Sequence, residues 1–190
     1  MTEYARWGLG LDLSRLNPAA LKWRISSSNA QHQVCGTYPS HLVVPAGIHD
    51  TALRRIASYR SNGRLPVTTW MSLSPEGDTS VALLRSGQPL VGIMNSRCSE
   101  EELLVREARA ASGRPLFHIF DARSYTIALT NKAAGGGFEN VENHYVDCEL
   151  SFLSLPNMHS IRESHEALMR ACRTNTEDSK YALDCRADYI

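Results

Sequence analysis

No stretch of this chain approaches the roughly 20 consecutive apolar residues of a membrane helix, so any membrane contact is expected to be peripheral. An excess of one charge is missing too, because 20 Lys+Arg balance 20 Asp+Glu. A balanced chain is not a general polyanion binder, and no nucleic-acid partner is expected. The cysteines are few and scattered: Cys35, Cys98, Cys148, Cys172 and Cys185. Their number is odd and no pair has metal-ligand spacing, which predicts reduced thiols in a cytosolic chain. His159, His165 and Cys172 do not fall at i,i+4 on one helical face, so zinc is not expected there. No other metal and no cofactor is called for. Glu3, Arg6, Asp12 and Arg15 interrupt the N-terminus, so no signal-peptide core is expected.

One further absence is chemical. Nucleophilic cleavage of a phosphate ester by cysteine needs a thiolate at the floor of a loop. Backbone N–H groups of that loop cradle the phosphate, and an arginine six positions on grips two of its oxygens. Six positions on from Cys35 is His41, from Cys98 Leu104, from Cys148 Ser154, and from Cys172 Asp178. Cys185 has no sixth residue after it. No Cys-x5-Arg segment exists in these 190 residues.

What is present reads as short strands alternating with helices. At 21.1 kDa the chain is large enough for one domain with a real core. Residues 1–22 read as a lead-in segment. Trp23-Arg24-Ile25 and Gln33-Val34-Cys35 flank the turn-rich Ser26-Ser27-Ser28-Asn29. His41 to Pro45 reads as a short buried strand. Asp50 is placed to cap a helix from Thr51 to Arg60 with Leu53, Ile56 and Ala57 on one face. Strands follow at Leu65 to Met71 and Thr79 to Leu84, joined by a hairpin turn at Pro75-Glu76-Gly77-Asp78. Ser99 to Glu102 reads as a capping box that opens a helix to about Ala111, with Leu103, Leu104 and Ala108 as its stripe. The stretch Leu116 to His159 then gives a strand (Leu116 to Phe120), a helix, a glycine run and a second strand (Leu150 to Leu155). Ser160 and Glu163 form a second capping box, with a helix to about Arg173. Residues 174–190 are a polar tail without period. The pattern predicts an α/β layer architecture with a mixed sheet.

Several residues are candidates for chemistry, each with a plainer reading beside it. Gly135-Gly136-Gly137 follows a helix, whereas a dinucleotide fingerprint opens one. The run reads as a helix C-cap and turn, or as a place where backbone approaches a ligand closely. Asn131, near the end of that helix, either faces solvent or offers its amide to a hydroxyl or phosphate. Asn157 precedes a helix, where N-capping and anion binding can coexist. Arg60 and Arg64 flank the Asn62-Gly63 turn, as a solvated turn or as a phosphate-facing or membrane-facing patch. Asp121, at a strand end, is placed to act as an acid-base group or to cap the next helix.

Taken in order, these residues resemble the myotubularin family of phosphoinositide phosphatases. The resemblance is carried by Trp23-Arg24-Ile25 with Asn29, Cys35 to Pro39 (CGTYP), Val43-Val44-Pro45, and Tyr59 to Pro66 (YRSNGRLP) before Trp70. It continues through Arg85 with Gly87-Gln88-Pro89, Arg97 with Glu101-Glu102, and Asp121-Ala122-Arg123. It closes on Ala128 with Asn131 to Glu139, and Asn157-Met158-His159 with Arg162. Asp121 to Tyr125 and Met158 to Arg162 lean toward the subgroup that also carries a FYVE domain.

The resemblance implies a cysteine-phosphatase-like mixed sheet flanked by helices. It implies removal of the 3-phosphate from phosphatidylinositol 3-phosphate and phosphatidylinositol 3,5-bisphosphate. Asn131, Asn157 and Met158 are the substrate-binding residues it carries over, Met158 standing where isoleucine is usual. It also implies homo- or hetero-dimers and a cytoplasmic protein that visits endosomal membranes. Residues 23–173 are then expected to be an incomplete phosphatase domain. A lipid-binding PH-GRAM domain would precede it and the catalytic loop would follow. With no Cys-x5-Arg, the chain alone is expected to be inactive, and to serve either as part of an enzyme or as a regulatory module that pairs with an active myotubularin.

Overall fold

The computed structural model describes residues 22–73 and 80–173. The lead-in, the hairpin tip at 75–78 and the tail from 174 lie outside the described residues, apart from Lys22. Two units are distinguished by their internal packing. The first runs to Leu153 and the second starts at Ser154.

Strand β1 (Trp23–Ser26) pairs antiparallel with β2 (Leu42–Pro45), Trp23 opposite Pro45 and Ser26 opposite Leu42. All four β2 residues are buried. Alternation along β2 divides them between two clusters. Leu42 and Val44 join Ile48, Leu53, Ile56, Leu65 and Leu104. Val43 joins Trp23, Met71, Ala108 and Ala111. Each large side chain buried this way contributes roughly 1.5–3 kcal/mol.

The connection between β1 and β2 has no regular structure, and one buried side chain organises it. Asn29 Nδ2 donates to the carbonyls of Cys35 (3.1 Å), Tyr38 (3.3 Å) and Pro39 (2.8 Å). Its Oδ1 accepts from the N–H groups of Val34 (3.0 Å) and Cys35 (2.9 Å). The side chain thus satisfies backbone groups that a strand partner would otherwise satisfy.

Helix α1 (Asp50–Tyr59) buries Leu53, Ile56 and Ala57, the face read from the sequence. Its cap is His49, not Asp50, and His49 makes no side-chain capping bond. Asp50 instead accepts from Arg24 Nη2 (2.6 Å) and Ser26 Oγ (2.7 Å), which hold its carboxylate away from the helix amides. Strands β3 (Val67–Leu73) and β4 (Ser80–Arg85) pair antiparallel, with a register shift between Thr68 and Trp70.

Helix α2 (Ser99–Ser112) ends at Gly113 in the left-handed conformation. Its cap is Cys98, without a side-chain bond, so the capping box expected at Ser99 is not formed. Of the expected stripe, Leu104 and Ala108 are buried and Leu103 partly so, and Glu101 is buried beside them.

Strand β5 (Phe117–Asp121) runs parallel to β6 (Cys148–Phe152), with Phe117 opposite Cys148 and Asp121 opposite Phe152. A parallel pair needs a crossover, and helix α3 (Tyr125–Ala133) lies within it. Neither strand has a fully buried residue. Strands and helices thus alternate in a mixed α/β architecture, with both antiparallel and parallel pairing. The six described strands pair two by two. In the second unit, helix α4 (Met158–Arg173) starts two residues before the expected capping box.

Candidate functional site

The glycine run is built as a helix terminus. Gly135 has φ +93°, and its N–H donates to the Lys132 carbonyl at 3.1 Å. Gly136 N–H reaches back to the Asn131 carbonyl at 2.8 Å. These two bonds, closing around a left-handed residue, form a Schellman cap on α3. Only Gly135 of the three is exposed. A Cβ on Gly136 would sit 2.6 Å from Gln88 Oε1, and one on Gly137 2.8 Å from Val91 Cβ. Of the two readings open from sequence, the C-cap is realised at Gly135 and Gly136, and the Gly137 carbonyl is taken by Arg123.

Arg123 locks this cap to the end of β5. Asp121 Oδ1 accepts from Arg123 N and Nε, each at 2.9 Å, and Oδ2 accepts from Nη2 at 2.6 Å. With its orientation set, Arg123 donates from Nη1 to Gln88 Oε1 and from Nη2 to the Gly137 carbonyl (2.9 Å). Asp121 therefore orients Arg123 and is not the cap of the next helix. The cap of α3 is Ser124, whose Oγ accepts from Ile127 N at 3.4 Å. Asn131 keeps its backbone inside the Schellman cap, and its half-buried side-chain amide makes no hydrogen bond among the described residues.

Arg60 is neither a solvated turn residue nor a surface patch: its side chain is 3% exposed. Its Nε donates to Glu101 Oε2 at 2.7 Å and its Nη2 to Glu101 Oε1. Nη2 also pairs with Glu139 Oε1 at 2.7 Å, and Nη1 donates to the Gly87 carbonyl at 2.6 Å. Tyr145 OH completes the group on Glu101 Oε1 at 2.8 Å. Burial works against the guanidinium charge, but Glu139 and Glu101 outweigh it and hold Arg60 above its ordinary pKa. Burial, and then Glu101, push the Tyr145 phenol upward, so it stays a donor. Arg64, beyond the turn, is half-buried and donates from Nε to Thr37 Oγ1 at 3.1 Å.

Next to this group lies an open cleft of about 400 Å³, whose walls include Tyr59, Arg97, Tyr125, Lys132, Phe138 and Glu139. Tyr125, Phe138 and Phe152 meet edge-on or tilted, with ring centroids 5.4–5.9 Å apart. Such contacts fix the segment after the glycine run against α3 and β6. Lys132 Nζ lies 5.7 Å from the Phe138 ring centre.

Asn157 and Met158 belong to the second unit. Asn157 Oδ1 accepts from His159 N (2.9 Å) and Ser160 N (3.0 Å), so it is the N-cap of α4. Its Nδ2 makes no hydrogen bond among the described residues. Met158 is 80% exposed. The sequence alone assigns no role to Gln88, Arg123, Glu101, Glu139 or Tyr145. The one available signal is that Gln88, Arg123, Glu101 and Glu139 sit inside the ordered motifs.

The family model of the myotubularin-like phosphatase domain matches residues 1–186. The chain is 38% identical over 184 residues to phosphatidylinositol-3,5-bisphosphate 3-phosphatase MTMR2 of Bos taurus, covering 95% of this chain and 26% of that protein. It is 38% identical over 182 residues to myotubularin of Xenopus laevis, covering 95% of this chain and 28% of that protein. Against MTMR3 of Caenorhabditis elegans it is 42% identical over 159 residues, covering 81% of this chain and 15% of that protein. The chain therefore spans about a quarter or less of the length of these relatives.

Proposed function

This chain belongs to the myotubularin-like phosphatase domain family, and we propose that it supplies part of the substrate wall of a phosphoinositide 3-phosphatase. The ligand is the headgroup of phosphatidylinositol 3-phosphate or phosphatidylinositol 3,5-bisphosphate, the second being the lipid in the name of MTMR2. The observation that carries this reading is Asn131. Its main chain is fixed by the Schellman cap and the Arg123 clamp, while its amide stays unengaged. A fixed amide with one donor edge and one acceptor edge suits an inositol hydroxyl beside a phosphate. Asn157 contributes Nδ2 at a helix N-terminus, where the orientation of backbone amides also favours a phosphate. Met158 contributes its main chain and an exposed side chain.

Cleavage is outside the reach of these 190 residues as they stand, because no cysteine has an arginine six positions on. The chain binds and does not hydrolyse. We assign it to the cytoplasm with peripheral contact on endosomal membranes, and to the subgroup with a FYVE domain on Asp121 to Tyr125 and Met158 to Arg162.

The test is titration of the purified chain with soluble inositol 1,3-bisphosphate, the headgroup of phosphatidylinositol 3-phosphate. Asn131→Ala and Asn157→Ala are each expected to weaken binding about tenfold, the loss of one hydrogen bond to a charged group. Equal affinity in both variants sinks the assignment. Phosphate release from phosphatidylinositol 3-phosphate by the chain alone sinks the claim of inactivity.

A second reading is favoured by β5 and β6, which leave residues such as Phe120 largely exposed on a parallel pair. Parallel strands are ordinarily covered on both faces. On that reading the chain is a non-catalytic module that pairs with an active myotubularin. Failure to co-purify with MTMR2 counts against it.

A further inference from the structure

The segment between β4 and α2 carries a turn that none of the preceding chemistry uses. Val91 and Cys98 are buried, and every residue from Ile93 to Arg97 between them is exposed. Met94 at 88% and Ile93 at 73% are among the most exposed large apolar residues described. They are the two central residues of a tight turn, closed by Asn95 N–H on the Gly92 carbonyl at 3.3 Å. Gly92 and Asn95 both have positive φ, +60° and +51°.

The turn is held from both sides. Gly92 N–H donates to the Gly136 carbonyl at 2.8 Å, inside the glycine run. Ser96 N–H donates to the Val91 carbonyl at 2.8 Å, and Tyr59 OH donates to the Ser96 carbonyl at 2.8 Å. The apolar tip is thus presented rigidly, one backbone bond away from the cap that fixes Asn131.

We propose that Ile93 and Met94 form a membrane-insertion tip that seats the glycine-run side of this chain on a lipid bilayer. Two side chains on a convex turn are too small for a protein interface, which needs about 800 Å² from each partner. They suit shallow burial at the boundary of headgroup and acyl chain, where binding scales with the apolar area inserted. Asn95 and Ser96 follow directly and are polar and exposed, so they would lie at headgroup level, and the Arg97 guanidinium beyond them is paired with Glu102 at 2.6 Å. With 20 Lys+Arg against 20 Asp+Glu, bulk charge supplies no general attraction to an anionic surface, and apolar insertion supplies the grip instead. The proposal rests on the phosphoinositide reading only in giving the bilayer a headgroup to present beside Asn131.

Flotation with two kinds of vesicle tests it: phosphatidylcholine with phosphatidylserine, and the same mixture with phosphatidylinositol 3-phosphate. Soluble inositol 1,3-bisphosphate is titrated in parallel. The variant I93S/M94S replaces two exposed side chains, and an unchanged melting temperature verifies its fold. It is expected to bind both vesicles at least about tenfold more weakly, with affinity for the soluble headgroup within about twofold of the parent chain. Met94→Trp is expected to strengthen vesicle binding, because tryptophan favours the interface. Absence of vesicle binding by the parent chain, or equal vesicle binding by I93S/M94S, overturns the proposal. So does loss of the soluble headgroup in I93S/M94S, which makes the turn a support of the site. If the parent chain ignores the soluble headgroup yet floats in a manner that needs Ile93 and Met94, the tip stands and the phosphoinositide reading falls.

Discussion

Arg123 donates to the carbonyl oxygen of Gly137 at 2.9 Å, and through that bond the end of β5 holds the end of α3. The same guanidinium is oriented by Asp121 and reaches Gln88, so one side chain joins three segments. Arg123→Ala removes a charged donor and leaves Asp121 without its partner. Urea unfolding is expected to show a loss of about 2 kcal/mol, within the range for hydrogen bonds to charged groups. Hydrogen exchange at residues 135–138 is expected to rise more than elsewhere. Uniform exchange across the chain contradicts the clamp.

The Arg60 group makes a sharper prediction. Arg60→Ala strands two buried carboxylates and is expected to cost about 3–5 kcal/mol in chemical denaturation. The triple variant R60M/E101L/E139L keeps volume but removes every charge, and is expected to be more stable than Arg60→Ala. The opposite order means that the ion group contributes more than its desolvation cost.

Two glycines separate strain from clash. Gly135 has positive φ but open space where a Cβ would stand, so Gly135→Ala is expected to cost only the left-handed penalty of about 1–2 kcal/mol. Gly135→Asn is expected to cost less. Gly63 has φ +69°, and a Cβ there would lie 2.6 Å from the Val34 backbone carbonyl. Gly63→Ala is expected to cost clearly more than Gly135→Ala, because backbone cannot step aside. Thermal melts of the three variants check the ranking.

Asp50 sets an acid limit. The Ser26 hydroxyl, and next the Arg24 guanidinium, hold its carboxyl below the usual carboxylate range. The unfolded chain therefore binds the proton at higher pH than the folded chain does. The contribution is complete above the unfolded value of about 3.9 and is lost as pH falls through the lower folded value. Asp50→Asn is expected to flatten the decline in melting temperature below about pH 4. An unchanged acid slope contradicts the assignment.

Cysteine reactivity follows burial. Of the four cysteines among the described residues, Cys172 is exposed and is expected to be alkylated first at pH 8, while Cys35 and Cys98 are buried and protected. Burial pushes the Cys148 thiol up to about 11, so it stays protonated and is expected to react more slowly than Cys172. Peptide mapping after timed iodoacetamide treatment gives the order.

Much of the scaffold is legible in the sequence because it rests on local chemistry. The face Leu53, Ile56, Ala57 follows from helical period alone, and the glycine run stops α3 as glycine caps do. The caps are less legible. Asp50 and Ser99 have the right residue types, but long-range partners or a shifted boundary take their place. The roles of Arg60 and Arg123 are hidden for one reason. Apart from Asp121, their partners lie far along the chain, from Gly137 for Arg123 to Glu139 for Arg60, beyond any periodicity, and an arginine in a turn looks solvated until its carboxylates are in place. Asn131 and Asn157 stand out through ordered motifs. Local geometry explains the main-chain role of the first and the capping role of the second.

The Arg60 group also bears on how the molecule comes apart. It joins the end of α1, the backbone at Gly87, helix α2 through Glu101, and the loop carrying Glu139 and Tyr145. None of these segments can leave without stranding a buried charge. They form one cooperative block, and their slowest amides are expected to share a single opening free energy even though the chain visits them far apart.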